Sequence, residues 1–180
     1  ADSNVSTFTL IFPNIKSLLS FTIPISSKDE FLMMFSKCVL FLGLTVPETR
    51  AISKQFSHLS LKEIAMHLRS KFHEERLASL LILANNYKKN PNKKIVDFYL
   101  KNTPQINNWD LVDLTASNIL GNYLIEKDKS VLYKLVKSNN LWERRIAVIS
   151  TFAFIKNNQF EDTLKIAKIL INDKQDLIHK

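Results

Sequence analysis

The stretch INNWDLVDLTASNILGNYLI, residues 106–125, decides the fold class when it is set beside NLWERRIAVISTFAFI, residues 140–155. Both are long runs with apolar side chains at helical spacing, and both carry a tryptophan near the start. Trp109 and Trp142 stand about one 33-residue period apart. Each run is followed by a short polar turn and a second amphipathic stretch. These are EKDKS and VLYKLVKSN after the first run, and KNNQ and FEDTLKIAKILIND after the second. Upstream, HEERLASLLILANNY (73–87), KKNPNKK (88–94) and IVDFYLKN (95–102) make a third unit of the same form.

Helix pairs repeating at about 30–36 residues predict an all-α fold, an α-solenoid of HEAT-like character with a concave binding face, with a plain helical bundle as the alternative. Further upstream, VPETRAISKQF (46–56) places Pro47 at a first helical position. In SLKEIAMHLRSKF (60–72), Ser60 and Glu63 have capping-box spacing. KDEFLMMFSKCVLF (28–41) reads as one more helix. Residues 1–27, rich in Ser and Thr and nearly free of charge, are expected to be a partly ordered N-terminal segment. Residues 28–180 are expected to be a single repeat domain.

Composition removes several classes of function. Only two glycines are present, Gly43 and Gly121, so a P-loop and a G-x-G-x-x-G nucleotide site are excluded. Cys38 is alone, which rules out an intramolecular disulfide and a cysteine metal cluster, and its apolar surroundings suggest a buried thiol. No two of the four histidines have the i, i+4 spacing of a helical metal site, so no metal and no cofactor are expected. The N-terminal apolar runs are broken by Pro13, Lys16 and Pro24, a poor signal peptide. The uncharged stretch near residue 40 is too short to span a bilayer. The expectation is a monomer of cytoplasmic, nucleoid-associated location, with no membrane partner. The 25 Lys and Arg against 17 Asp and Glu give a net charge of +8, which favours an anionic partner, nucleic acid above all.

Two constellations stand out against that basic background. Trp109 and Asp113 are four residues apart and share a helix face, away from the core stripe of Val112, Ala116 and Ile119. In the bland alternative Trp109 packs between helices, and Asp110 or Asp113 only complements the helix dipole. The second constellation is Arg144 and Arg145 at the start of a run that is apolar on nearly all sides beyond them. Cations there oppose the positive end of the helix dipole at a cost of about 0.3–1 kcal/mol each, so a nearby anion is expected. A DNA phosphate and Asp113 of the preceding unit are both candidates.

NNWDLVDLTA (107–116), followed about one repeat later by NLWERRIAVIS (140–150), resembles the DNA alkylation repair family of AlkD-like alkylpurine DNA glycosylases. FLGLTVPETRAISKQF (41–56) and DKQDLIHK (173–180) are similar to its leading and closing segments, so the resemblance spans about residues 28–180. It implies a solenoid of HEAT-like repeats that holds duplex DNA in a basic concave groove. The implied reaction is base excision repair, releasing cationic N3- and N7-alkylated purines by hydrolysis of the N-glycosidic bond. Carried over, Trp109 and Asp113 become catalytic, with Arg144 or Arg145 beside them. Trp142, Lys156 and the turn lysines Lys88, Lys89, Lys93 and Lys94 become candidates for contact with DNA.

The residue types suit that chemistry. A cationic purine leaves without protonation, so the demand is for a carboxylate near C1′ that stabilises the developing sugar cation and positions water. A tryptophan face beside a cation is worth about 0.5–2 kcal/mol when desolvated. Two departures from the family are visible. Met34 stands where a tyrosine is usual, with Phe31 and Phe35 nearby, and the chain ends at Lys180, one tryptophan-bearing helix short of the family pattern. Two other readings remain at this point: a non-catalytic HEAT-like DNA-binding module and a protein-interaction scaffold.

Overall fold

The computed structural model describes residues 40–180, together with the short antiparallel pair Thr7–Phe8 and Phe21–Thr22. The pair belongs to a unit spanning Ala1–Lys37, and everything below concerns the unit Cys38–Lys180. Met34, Phe31, Phe35, Cys38 and nearly all of the helix expected over 28–41 lie outside the described residues.

The described part of Cys38–Lys180 is all-α. Thr45 caps α1 (Val46–Gln55) and Ser60 caps α2 (Leu61–Leu68), and both form complete capping boxes, with Glu48 and Glu63 respectively. The expected helix over 60–72 stops at Leu68; Phe72 instead pairs with Leu40 in an isolated bridge. Helix α3 (His73–Lys89) receives α1 and α2, and α4 (Lys93–Lys101) follows after a three-residue turn. The four lysines expected in a long turn are therefore on helix ends. Lys88 and Lys89 lie in the last turn of α3, where the dipole favours cations. Lys93 and Lys94 open α4, where it does not, and Asp97 one turn on takes the Lys93 ammonium at 2.7 Å.

The continuous helix expected over 106–125 is a broken one. It comprises α5 (Trp109–Asp113), a π turn (Ser117–Gly121) and α6 (Asn122–Leu124). The run Thr115–Ala116–Ser117–Asn118 supplies the physical reason, because short polar side chains compete for backbone groups. Thr115 donates to the Leu111 carbonyl at 2.5 Å and Asn118 to that of Leu114 at 2.8 Å. Asn122 donates to the Asn118 carbonyl at 3.1 Å. Leu111, Val112, Ala116, Ile119 and Leu120 are fully buried all the same, so tertiary packing holds a segment that local propensity would not.

After α7 (Ser130–Leu135), α8 (Leu141–Lys156) packs against α5, the π turn, α6 and α7, and α9 (Glu161–Leu170) and α10 (Asp176–His179) pack on α8. The α5–π turn–α6 segment also contacts α3 and α4, so it joins the earlier helices to the later ones. Helix α8 is less enclosed than its apolar sequence suggests, since Phe152 and Ile155 are exposed.

Gly121 makes the closest approach. A β-carbon there would lie 2.3 Å from the Ser150 carbonyl oxygen and 2.9 Å from the Ala153 β-carbon. Alanine would gain about 1 kcal/mol from helix propensity, but the backbone of α8 would have to retreat. Gly121→Ala is expected to destabilise the protein by about 1–3 kcal/mol, the usual range for overpacking. A denaturant midpoint at or above that of the wild type would mean that the contact yields freely.

Candidate nucleic-acid interface

Helix α5 is five residues long, with Asn108 capping the Trp109 amide at 2.7 Å. Successive residues turn about 100° around the axis, so Asp113 falls between Trp109 and Asp110 in projection. The exposures follow that order. Trp109 is 54% exposed, the Asp113 side chain 29% and the Asp110 side chain 12%. Asp113 therefore sits at the rim of the helix contact, with the open indole of Trp109 one turn before it on the same face.

Arg145 comes to Asp113 from the first turns of α8. Its Nε donates to one carboxylate oxygen at 2.8 Å and its Nη2 to the other at 2.7 Å. This is the bidentate geometry that gives a guanidinium–carboxylate pair its directional strength. The remaining terminal nitrogen, Nη1, donates to the Leu177 carbonyl of α10. The Arg145 side chain is 8% exposed. Arg144, one residue and about 100° away, goes elsewhere: its Nε and Nη2 grip Asp173 at 2.6 and 3.2 Å, and its Nη1 donates to the Ser138 carbonyl at 2.9 Å. Two carboxylates thus offset the unfavourable placement of two cations near a helix N-terminus. The ambiguity between the arginines is resolved geometrically, with Arg145 beside Asp113 and Arg144 outside the pair.

Other predicted residues divide by location. Trp142, Arg145, Ile149, Phe152 and Lys156 recur at helical spacing along one stripe of α8. Trp142 is half-buried, and Phe152 and Lys156 are exposed. Trp142 and Lys156 therefore share the face that carries Arg145. Lys88, Lys89, Lys93 and Lys94 are exposed but gather at the far end of α3, roughly 20 Å along the axis from His73, which touches α5.

Several residues escaped the sequence reading. His73, first in α3, donates from Nε2 to Asp110 at 2.6 Å, since a carboxylate can only accept. Both side chains are buried, and the Phe41 ring lies 5.0 Å from the imidazole. Arg76 donates to Asn107 at 2.7 Å. Burial pulls its guanidinium below the usual value, while Asp110 and Glu74 pull it upward. Glu74 accepts the backbone N–H groups of Leu42, Gly43 and Leu44. Glu143 receives Thr103 at 2.7 Å and Ser138 at 2.5 Å, joining the turn before α5 to the first turn of α8. Apart from the Ser138–Glu143 contact, these partners lie 30 to 40 positions apart, and no local pattern links them. Among the described residues, no group of three or more His, Cys, Asp or Glu could hold a metal ion. No described helix is long and apolar enough to cross a membrane.

The family model described as DNA alkylation repair enzyme matches residues 27–180. The chain belongs to this family. A role in the repair of alkylated DNA, with DNA as the substrate, comes with that membership. No curated protein and no solved structure matches the chain. The family match includes both the Trp109–Asp113 face and Arg145, so the residues that geometry brings together all lie in the part of the chain that the DNA alkylation repair family defines.

The Arg144–Asp173 pair yields a pH test. Hydrogen bonds from Arg144 hold the Asp173 carboxyl below its ordinary range. A depressed folded-state value stabilises the fold above the unfolded-state value near 4, and that contribution is lost as pH falls through the folded value. Arg144→Leu is therefore expected to lower the thermal midpoint at pH 7 and to converge towards wild type at a pH below the folded-state value of Asp173. A gap of equal size at both pH values would mean that the pair contributes through packing alone.

Proposed function

We propose that the protein is a DNA N-glycosylase of base excision repair, hydrolysing the N-glycosidic bond of cationic N3- and N7-alkylated purines in duplex DNA. The observation that carries this reading is the Asp113 carboxylate. It is partly open to solvent, held through both oxygens by Arg145, and one turn from the exposed indole of Trp109. Family membership and the net charge of +8 support DNA as the polyanion that meets this face.

The chemistry follows from charge. An alkylated purine is already cationic and departs as a neutral base. As the bond to C1′ lengthens, positive charge grows on the sugar, and a fixed carboxylate lowers the energy of that state more than that of the intact nucleotide. Asp113 supplies the anion and accepts a proton from the water that adds to C1′. Arg145 sends three N–H groups to Asp113 and Leu177, so its main task is to hold Asp113 in place. Trp109 places a π surface beside the cationic nucleotide. Trp142 and Lys156, on the Arg145 face of α8, contact the flanking backbone, and the lysines at the α3–α4 turn add general attraction that falls with salt.

Duplex DNA carrying 7-methylguanine provides the assay, with release of free base as the readout. The wild type is expected to exceed the spontaneous rate. Asp113→Asn is expected to keep DNA affinity within about twofold and to lose at least roughly tenfold in excision, as for a group used only in the transition state. DNA binding without base release by the wild type would favour a non-catalytic DNA-binding module. No binding at low salt would favour a protein-interaction scaffold.

A further inference from the structure

Helix α5 cannot hold its own position. Five residues are well short of the length at which a helix is stable alone, and it lies between a 3-10 turn (Thr103–Gln105) and the turn that leads into the π segment. Arg145 fixes the Asp113 end from α8. The Trp109 end is fixed by polar groups of α3. His73 Nε2 meets one oxygen of Asp110 at 2.6 Å, and the other oxygen of Asp110 accepts the Leu111 amide at 2.8 Å. Arg76, one turn after His73, holds Asn107 just ahead of the helix cap. Glu74 grips the amides of residues 42–44 and so braces the segment that lays Phe41 against the His73 ring.

We infer that the buried His73–Asp110 pair is a positioning device that sets the rotation of α5, and through it the placement of Trp109 and Asp113. Asp110 is about 60° from Asp113 and about 100° from Trp109 around a single short axis. Anchoring Asp110 inward therefore turns Asp113 to the rim and Trp109 outward. A buried ionisable pair is a poor means of adding stability, because desolvation cancels much of its attraction. It does fix direction, since a histidine donor and a carboxylate acceptor tolerate little rotation. The catalytic part of the inference rests on the glycosylase reading above. The positional part does not.

The test separates the two. The chain has two tryptophans, so Trp142→Phe leaves Trp109 as the only indole reporter. In that background His73→Leu is expected to raise iodide quenching of Trp109 and lower its anisotropy, and His73→Gln, which keeps a donor near the Nε2 position, is expected to restore both. In the chain with Trp142 intact, His73→Leu is expected to lower kcat for 7-methylguanine release by roughly ten- to a hundredfold with KM within about twofold, as for misplacement of a catalytic group. His73→Gln should recover most of that loss. Should His73→Leu fail to fold, His73→Phe, which keeps the ring against Phe41 and removes the donor to Asp110, is read by the same measurements. Unchanged Trp109 quenching and anisotropy in a folded variant would overturn the inference whatever the enzyme assay shows. A quenching change in a protein with no excision activity would sustain the positioning role and sink only the glycosylase reading.

Discussion

A guanidinium from the start of α8 meets both oxygens of a carboxylate at the end of α5, and the arrangement of the site depends on that bidentate pair. It joins two segments that lie about one repeat apart in sequence. It also reconciles two local conflicts. An arginine in the first turns of a helix is disfavoured by the dipole, and a carboxylate at the C-terminal end of α5 is disfavoured by the opposite pole. Each charge is stabilised by the other. Because Asp113 stays partly exposed, the pair is an anchored anion facing solvent, not a sealed internal bridge.

The segment carrying that anion is the least regular part of the fold. A π turn, a 3-10 turn and two very short helices replace what could have been one straight helix. Such interruptions recur at functional sites, where they re-aim side chains that a regular helix would direct elsewhere. Three contacts brace the segment: the α8 guanidinium, the α3 imidazole, and the close passage of Gly121 beneath Ser150. Rigidity at the site is thus imported from longer helices on both sides, which suits the proposed glycosylase reaction, whose catalysis would be largely electrostatic and so depend on fixed geometry.

Much of this was legible in the chain. Helix-pair periodicity announced an all-α fold, and the capping box at Ser60 is a local hydrogen-bond pattern between residues three positions apart. The Trp109–Asp113 face was legible for the same reason, since four residues on a helix make one turn. What misled was equally local. The stretch 106–125 has strong apolar periodicity, and the Thr-Ala-Ser-Asn run that interrupts it looks harmless until the side chains are seen donating to the carbonyls. The lysines 88–94 read as a loop because Asn and Pro sit between them, yet only three residues are outside the helices.

The sequence by itself determined the all-α class, the order of most helices, the basic charge and the family, because each depends on residue type, short-range spacing or a motif pair. It did not determine which arginine meets Asp113, that Asp110 turns inward to His73, or that Arg144 belongs to Asp173. Those partners lie roughly 30 to 40 residues apart in the chain, and adjacent helical positions point about 100° apart. Only the packing of α3, α5 and α8 decides which of two neighbouring charges faces the other helix.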